Sequence, residues 1–595
     1  MRPIGNINGN RFLRWRGVGV TFLLAAGFMV VSIRLITLQL VNHEYYNEEA
    51  FKLHSVSIPI PPKRGRIRDR SGNVLAQSVT VTDVRIDGRL AWEKPDVFDK
   101  LESILGVSSS ELEKKINPKN RFLLLIENAD DDVLQKLRSL RVRSLIFKER
   151  MMRIYPNGGE GSHVIGFVNL AELSTAVAGE RIKFEMGVNG TERVMDHYLK
   201  GVAGERWIVR DCKRREIAAY RRSDRPARDG QDVVLTIDQV VQHIIEMEAD
   251  QLMQEHNPDA VSILVIKPTT GEILALANRP TFDPNKRSTM TPLNLRNAAI
   301  MNTFEPGSTF KLVTLAAALN EGIADLDMPI FCENGQFFYG GKWLHDSHPL
   351  GMLTLRDVVA KSSNIGFAKL GLLLGQEKIY QYAKRFCFGQ RIQDSAEALW
   401  GEEPGTLYPP KRWSALSITR VPVGYEVAVT NLQMAFAYGA VANGGKLMEP
   451  RLIKTVVDDG GNIVAQYLPK VLGQVVKPEV AMEMKQAMEG VVSDEGTAER
   501  ASVRGFTVAG KTGTAQKIVN GVYDKENYIA SFIGFLPAEH PEFLVSIVVD
   551  GPKSGKYYGG LVAAPAFNHI ATQVAQQLNM VTSDATVALV KRGEL

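Results

Sequence analysis

The sequence predicts a mixed α/β (α+β) protein in which one N-terminal membrane-spanning helix precedes a C-terminal domain with an antiparallel sheet sandwiched by helices. Three observations predict this class. At 595 residues the chain is too long for a single ordinary core. One uncharged apolar run lies close to its start. After residue 230, strand-like segments, helical segments, further strands and a final helix follow one another.

A membrane anchor is predicted at residues 17–40, after a cytoplasmic tail of residues 1–16. Residues 17–33 carry no charge, and a helix of this length, at about 1.5 Å per residue, approaches the thickness of the membrane hydrocarbon. Positive charges just before the run favour a cytoplasmic N-terminus; they are Arg11, Arg14 and Arg16. The remaining chain would then lie across the membrane. A cleaved secretion signal is disfavoured because no A-x-A-like site follows the run.

The charge balance gives no support to a nucleic-acid-binding role. The formal net charge is +5, and residues 1–43 contain five arginines and no acidic residue. The rest of the chain is therefore balanced, whereas nucleic-acid-binding domains present a basic surface. The three cysteines, Cys212, Cys332 and Cys387, are widely spaced. This spacing excludes a disulfide framework and a cysteine-rich metal site, but it leaves room for one disulfide.

Residues 41–230 are predicted as a separate region between the anchor and the C-terminal domain. Prolines and basic residues at 58–70 indicate a linker that leads into strands. The charged segment 90–150 looks helical, and a strongly polar segment at 210–230 closes the region. The domain boundary is therefore placed near residue 230.

The C-terminal domain is predicted at residues 231–578, followed by a tail at residues 579–595. Residues 260–278 predict a β-hairpin that turns at residues 268–272. Strand-rich segments return after residue 505. Helical patterns are predicted at residues 308–320, 354–374, 427–442 and 564–578.

Ser308 and Lys311 form an S-x-x-K motif at the start of the first of these helices. Residues three apart share a helix face, which would place the hydroxyl beneath the amine. Phe310 and Leu312 flank the lysine, and burial among apolar groups disfavours the ammonium form. A nucleophile with a neutral amine as its base is one interpretation. A helix N-cap at Ser308 beside a solvated lysine is the other.

A second polar motif, S-x-N, contains Ser362 and Asn364. In a short loop both side chains can point into one cleft, where the hydroxyl would relay a proton and the amide would bind a peptide bond. By itself, an ordinary polar loop is the favoured interpretation. The pair His345 and His348 is interpreted as polar surface, because one loop with no further ligand nearby is a poor metal site.

The third motif, K-T-G-T, lies in a strand-like segment. Alternation along a strand would place Lys511 and Gly513 on one face and Thr512 and Thr514 on the other, and the glycine lets a backbone approach a ligand closely. Residues 505–512 also match the phosphate-loop pattern G-x-x-x-x-G-K-[ST]. A phosphate loop requires a helix that opens at the lysine. No helical pattern follows here, so nucleotide binding is disfavoured.

Together and in this order, the three motifs resemble those of penicillin-binding proteins and class A β-lactamases. The chain most resembles a class B penicillin-binding protein of the division-specific type, nearly from end to end. One stretch departs from the usual pattern, since Pro422 and Glu426 stand where relatives have Ser and Gly. Similar segments outside the three motifs are residues 64–76, 153–167, 187–205, 235–238 and 556–567.

The resemblance implies a non-catalytic pedestal at residues 41–230 and a transpeptidase domain at residues 231–578. It implies a serine D,D-transpeptidase that crosslinks peptidoglycan stem peptides ending in D-Ala-D-Ala. The enzyme would act on the periplasmic side of the inner membrane during septum formation, beside a septal glycosyltransferase and other division proteins. It would be acylated by β-lactam antibiotics and need no cofactor and no metal.

The resemblance also assigns roles to individual residues. The backbone N–H groups of Ser308 and Thr514 would form an oxyanion hole. The side-chain roles are Ser308 as nucleophile, Lys311 as its base, Ser362 as proton relay, Asn364 as the group that orients the donor peptide, and Lys511, Thr512 and Thr514, around Gly513, as the binding site for the substrate carboxylate.

Three alternatives stay open at this point. A β-lactamase or a β-lactam sensor shares the three motifs, although neither needs the pedestal. A catalytically silent division scaffold is disfavoured because all the motif side chains are present. An elongation-type class B transpeptidase is the nearest alternative, and the similar segments listed above favour the division type.

Overall fold

The computed structural model describes residues 8–120, 122–174, 181–209, 224–393, 399–519 and 521–582. These residues form two compact units. The smaller contains the described residues of 1–62, 171–184 and 202–228, and the larger contains 63–170, 185–201 and those from 229 onward. Cys212, most of the predicted polar segment at 210–230 and the predicted tail from residue 583 lie outside the described residues.

The smaller unit begins with one long apolar helix. Asn8–Ile36 is α-helical, and a π-helical turn, Thr37–Val41, continues it. Arg14–Val41 contains an 18-residue stretch with a mean hydropathy of 2.1 and is the one segment in the described part of the chain that is long and apolar enough to cross a membrane. The predicted anchor at residues 17–40 lies inside this segment, so the chain has a helix suited to membrane anchoring.

A seven-stranded sheet in the larger unit joins distant parts of the sequence. Its pairings are antiparallel except that of Ile67–Arg68 with Asp232–Leu235. Strands from both sides of residue 230 therefore share one sheet, and the domain boundary at that residue stays a prediction. The spatial order is Ile463–Gln466, Ile453–Val457, Asp232–Leu235, Ile67–Arg68, Val74–Ile86 and Leu123–Ile126, with Leu145–Ile154 also paired to Val74–Ile86.

Buried charges connect three segments beside this sheet. The side chain of Glu192 is 0% exposed, and its carboxylate oxygens lie 2.7 Å from Arg64 Nε and 2.7 Å from Arg153 Nε. A second carboxylate, that of Asp196, lies 2.7 Å from Arg64 Nη1. Charges in a dry interior require such partners. Arg64 and Arg153 belong to segments singled out for their resemblance, and the structure gives both a structural role.

The second sheet of the larger unit has five strands and is antiparallel throughout. It contains the hairpin predicted at residues 260–278, which is confirmed. The strand Ala509–Val519 lies at one edge of this sheet and is called the edge strand below. The spatial order is Glu272–Arg279, Ala260–Lys267, Phe543–Asp550, Val522–Leu536 and Ala509–Val519.

Helices cover both faces of the five-stranded sheet, as predicted. On one face, the hydroxyl of Ser546 donates to Asn431 Oδ1, at the start of one helix, at 2.5 Å. On the other face, Phe532 packs edge-to-face on Phe567 of the C-terminal helix, with ring centroids 4.9 Å apart. Because both faces are covered, the inner strands Ala260–Lys267 and Phe543–Asp550 are buried along almost their whole length rather than on alternate residues.

The prediction of one continuous helix at residues 354–374 is wrong. The structure has two helices, Leu355–Ala360 and Asn364–Leu374, separated by a tight turn. Ser362 in that turn has φ of +57°, a left-handed conformation that a right-handed helix cannot contain. Ser363 then caps the second helix by accepting a hydrogen bond from its first turn at 3.0 Å.

The helix predicted at residues 427–442 begins later than expected. Val427–Ala428 is a short strand, and the helix runs over Asn431–Ala442. Thr430 and Gln433 form a reciprocal capping box that sets the helix start. Apolar periodicity continues through the strand because both elements are buried, so the pattern alone could not locate the boundary.

The remaining elements have the following bounds. The other helices are His43–His54, Gly88–Trp92, Asp96–Leu105, Ser109–Lys115, Asp131–Ser139, Ser162–Ile165, Gly190–Val194, Asp196–Leu199, Gln239–His256, Ala298–Met301, Lys311–Asn320, Gln376–Arg385, Ser417–Arg420, Pro478–Glu489 and Gly559–Gln577. The other strands pair as Ser55–Ile60 with Gly204–Val209, Val168–Ser174 with Arg181–Gly187, Pro329–Phe331 with Met352–Thr354, Gln336–Tyr339 with Lys342–His345, Thr406–Leu407 with Val427–Ala428, and Lys446–Met448 with Val471–Gln474.

Glu192→Ala is expected to lower the free energy of unfolding by about 3–5 kcal/mol, because it leaves the buried guanidinium group of Arg153 without its carboxylate and removes one of the two carboxylates that pair with Arg64. The measurement is urea unfolding of the full chain in detergent, followed by tryptophan fluorescence. Lys100→Ala is the control, since Lys100 pairs with Asp96 at 49% and 63% exposure, and such a pair contributes less than about 1 kcal/mol. Equal small shifts for both variants would contradict the structural role of Glu192.

Candidate active site

Ser308 lies in a tight turn rather than at a helix N-cap. Gly307–Phe310 is a 3-10 turn that leads into the helix Lys311–Asn320, and no side chain caps that helix. Ser308 is half-buried. The N-cap interpretation of this serine is therefore wrong, and its hydroxyl is left available for chemistry.

The amine of Lys311 lies in the interior, 1% exposed as a residue. Its Nζ donates to Ser362 O at 2.6 Å, to Ser362 Oγ at 3.1 Å and to Asn364 Oδ1 at 2.9 Å. Burial lowers the pKa of the Lys311 amine to about 7, and the carboxylate of Asp346 partly opposes this effect. At neutral pH a large fraction of the amine is therefore uncharged, as a general base requires.

The structure does not join Ser308 to Lys311 directly. Within the described residues, the amine of Lys311 bonds to Ser362 and Asn364, and no hydrogen bond links it to the hydroxyl of Ser308. Hydrogen bonds used in catalysis are often long before substrate binds. The transfer of a proton from Ser308 to Lys311 therefore stays a prediction.

A second buried amine, that of Lys511, also bonds to the hydroxyl of Ser362. Lys511 is the third residue of the edge strand and is 2% exposed. Its Nζ donates to Ser362 Oγ at 2.8 Å and to Thr512 O at 3.3 Å. Burial lowers the pKa of the Lys511 amine well below its usual value, and the positive charge of Lys311 lowers it further. Two buried ammonium groups on one oxygen would repel each other, so protonation of one amine disfavours protonation of the other and the two titrate as a pair.

The three residues after Lys511 divide between the two faces of the edge strand. An added Cβ at Gly513 would overlap Ser531 Oγ on the neighbouring strand, and it would lie 3.1 Å from Pro306 O in the turn that contains Ser308. On the other face, Thr512 Oγ1 lies 2.8 Å from Thr497 Oγ1, and Thr514 Oγ1 accepts from Gly559 N at 3.0 Å. The predicted alternation is confirmed. That Lys511, Thr512 and Thr514 all contact one substrate carboxylate stays a prediction.

The phosphate-loop pattern at residues 505–512 does not form a phosphate loop. Lys511 lies within a strand, its amine bonds to Ser362, and the chain continues as strand up to Val519. A phosphate loop would require a helix to start at this lysine. The letters of the pattern match, but the backbone does not.

The stretch that contains Pro422 and Glu426 packs against the turn that contains Ser308. Gly424 O accepts from Gly307 N at 3.1 Å, and a side chain at Gly424 would overlap Gly307 O. Glu426 has φ of +61°, a conformation that costs a non-glycine residue about 1–2 kcal/mol. Its backbone N–H donates to Glu305 Oε1 at 2.8 Å, and its carboxylate accepts from Ser417 at 2.5 Å. These two bonds offset the conformational strain.

Sequence reasoning missed two residues beside the motifs. Thr497, next to Thr512, lies in a loop with no pattern of its own. Asp346 belongs to the loop that was interpreted as polar surface, yet its carboxylate accepts three hydrogen bonds from the Ser363–Ile365 segment. A carboxylate within a run of polar residues was the available signal, but its partner lies 18 residues away in the sequence and only folding reveals it.

Family models match both halves of the chain. Residues 261–572 match the penicillin-binding protein transpeptidase domain, and residues 59–235 match the penicillin-binding protein dimerisation domain. All eight predicted site residues lie inside the first match.

Curated relatives extend the similarity over almost the whole chain. Stage V sporulation protein D of Bacillus subtilis (strain 168) is 33% identical over 93% of this chain and 84% of its own length. Peptidoglycan D,D-transpeptidase FtsI of Escherichia coli (strain K12) is 30% identical over 98% of this chain and 96% of its own length. The crystal structure of penicillin-binding protein 2X from Streptococcus thermophilus has the same fold, with a TM-score of 0.75 and 23% identity over 87% of this chain and 80% of that chain.

Gly513→Ala is expected to lower the free energy of unfolding by about 1–3 kcal/mol, because the new methyl group overpacks against Ser531 Oγ of the neighbouring strand and against the turn that contains Ser308. The thermal midpoint of the full chain in detergent measures the change. Gly473→Ala is the matched control, since a Cβ at that strand position would meet nothing within 4 Å. Equal midpoints for the two variants would contradict the close approach inferred at Gly513.

Proposed function

This chain belongs to the class B penicillin-binding proteins, and on that premise we propose that it crosslinks peptidoglycan stem peptides by D,D-transpeptidation through an acyl-enzyme on Ser308. One observation supports this more than any other. The buried amines of Lys311 and Lys511 meet at the hydroxyl of Ser362, beside the turn that presents Ser308. Lysines with lowered pKa values beside a half-buried serine suit a serine nucleophile that has no histidine partner.

In the proposed reaction, Ser308 Oγ attacks the carbonyl carbon of the penultimate D-alanine while Lys311 accepts the hydroxyl proton. The negative charge on the carbonyl oxygen is stabilised by backbone N–H groups of Ser308 and Thr514. The bond to the terminal D-alanine then breaks, and Ser362 passes a proton to the departing amine. This leaves an ester between Ser308 and the donor peptide.

The second half of the reaction returns the enzyme to its starting state. The side-chain amine of a neighbouring stem peptide attacks the ester carbonyl, loses its proton to the same lysine and serine pair, and releases Ser308 Oγ. Asn364 orients the donor peptide, and Lys511, Thr512 and Thr514 bind its carboxylate by charge and hydrogen bonds. A β-lactam mimics the D-Ala-D-Ala end and acylates Ser308 in place of the peptide.

The proposal includes a place and partners. The segment Arg14–Val41 would anchor the protein in the inner membrane, and the arginines at and just before its start, Arg11, Arg14 and Arg16, favour a cytoplasmic N-terminus with the two domains in the periplasm. The segments that resemble division-type relatives favour septal peptidoglycan as the product, made beside a septal glycosyltransferase and other division proteins.

A fluorescent penicillin is expected to label the full chain in detergent, and mass spectrometry should locate the label on Ser308. Ser308→Ala should abolish labelling, whereas Ser347→Ala, an exposed serine in a neighbouring loop, should leave it unchanged. Because the pKa of Lys311 is about 7 and only its neutral amine accepts a proton, the labelling rate should fall about tenfold per pH unit below that value. Labelling that persists in Ser308→Ala, or a rate independent of pH, would contradict the proposal.

The acyl-enzyme formed with penicillin is expected to last for hours, because a transpeptidase passes its acyl group to an amine and is not built to activate water. The measurement is the loss of label after excess unlabelled penicillin is added. Release of label within seconds would favour a β-lactamase, the alternative that shares the three motifs.

A further inference from the structure

The carboxylate of Asp346 organises the turn that contains the S-x-N motif. Its oxygens accept from Ser363 Oγ at 2.6 Å, from Asn364 N at 2.5 Å and from Ile365 N at 3.1 Å. The two backbone N–H groups lie at the start of the helix Asn364–Leu374, where the helix itself offers them no acceptor and where the helix dipole favours a negative charge. One side chain therefore satisfies both the backbone and the capping serine of this helix.

Asp346 is itself held in place by a hairpin. It follows the strand Lys342–His345, which pairs with Gln336–Tyr339, and its backbone N–H donates to Gly335 O at 3.1 Å. The preceding carbonyl, His345 O, accepts from Asn364 Nδ2 at 2.9 Å. Two consecutive residues thus fix the backbone of the turn and the amide plane of Asn364 together.

This geometry decides what the amine of Lys311 meets. Its three acceptors are Ser362 O, Ser362 Oγ and Asn364 Oδ1, and all three belong to the turn that Asp346 holds. Ser362 is in a left-handed conformation, with φ of +57°. Such a conformation persists only where the surrounding structure enforces it, and here the bonds to Asp346 are the adjacent restraint.

We infer that Asp346 is a positioning residue for the acylation of Ser308: its carboxylate holds the Ser362–Asn364 turn against the amine of Lys311 and faces that amine with its charge. The inference rests on the proposed function. It gives a role to a residue outside the three motifs, in a loop of the sequence that has no pattern of its own. Asp346 touches neither the nucleophile nor the reacting atoms, so it acts through its neighbours.

Among the residues that the structure describes, two charged groups face the amine of Lys311. Lys511 approaches from the edge strand, and Asp346 approaches from the loop after the hairpin. The other groups around the amine, Ser362, Asn364 and the ring of Phe367 at 5.4 Å, are uncharged. The carboxylate raises the pKa of Lys311 against the effect of burial, so removing its charge would lower that pKa further.

Two variants separate shape from charge. In Asp346→Asn, the amide oxygen can still accept from the backbone N–H groups of Asn364 and Ile365, while Ser363 Oγ can accept from the amide instead of donating. The acid limb of its labelling profile, meaning the pH range in which the labelling rate falls as the pH is lowered, is therefore expected to lie about half a unit or more lower than in the wild type. The reason is that the amine of Lys311 would stay neutral to lower pH. Asp346→Ala removes the acceptors altogether and is expected to slow labelling about 10–100-fold at every pH.

The experiment measures the rate constant for labelling of the full chain by fluorescent penicillin from about pH 5 to about pH 9. Asp357→Asn is the matched control. Asp357 is a carboxylate in the first turn of the adjacent helix Leu355–Ala360, bonded to Thr354 Oγ1 at 2.7 Å. It should reproduce the wild-type profile, because it faces neither lysine.

The inference is overturned if the acid limb of Asp346→Asn coincides with that of the wild type, or if Asp346→Ala is labelled at the wild-type rate. Should Asp346→Ala fail to fold in a thermal scan, the nearly isosteric Asp346→Asn decides the matter alone, because a merely structural aspartate would not move an acid limb. Wild-type chain that is not labelled at Ser308 would instead refute the proposed function, so the two failures are distinguishable.

Discussion

The constraint on which the rest of this site depends is the burial of two lysine amines on one serine hydroxyl. Lys311 and Lys511 are each nearly inaccessible to solvent, and both bond to Ser362 Oγ. Like charges so close together, in a medium of low dielectric, favour loss of protons. The fold thus lowers the pKa of both amines, as general bases would require.

Keeping those amines dry requires exact support from three directions in the larger unit. The edge strand places Lys511, the helix after the turn that contains Ser308 places Lys311, and a left-handed turn between two helices places Ser362. Packing fixes each of these positions. The five-stranded sheet, for example, is covered by helices on both faces. A site built on rigid elements keeps its hydrogen-bonding groups in register.

The limits of sequence reasoning lie where tertiary contacts, rather than local patterns, decide the structure. Apolar periodicity before and after residues 361–364 favoured one helix over 354–374, whereas these four polar residues contain the turn between two helices. The phosphate-loop letters at residues 505–512 run into the edge strand, which begins at Ala509, as the missing helical pattern after Lys511 predicts. The role of Asp346 depends on Asn364, 18 residues away, and no spacing rule connects the two.

The sequence by itself determined the apolar anchor, the hairpin and final strands of the C-terminal part and the side chains proposed for the site, because these follow from hydropathy, periodicity and residue chemistry. Only the tertiary structure decided what those side chains meet. Ser362 lies 51 residues from Lys311 and 149 residues from Lys511, and contacts over such separations are set by how sheets and helices pack. The same packing turned the amine of Lys311 toward Ser362 rather than Ser308, because burial leaves an amine only the acceptors that folding brings to it.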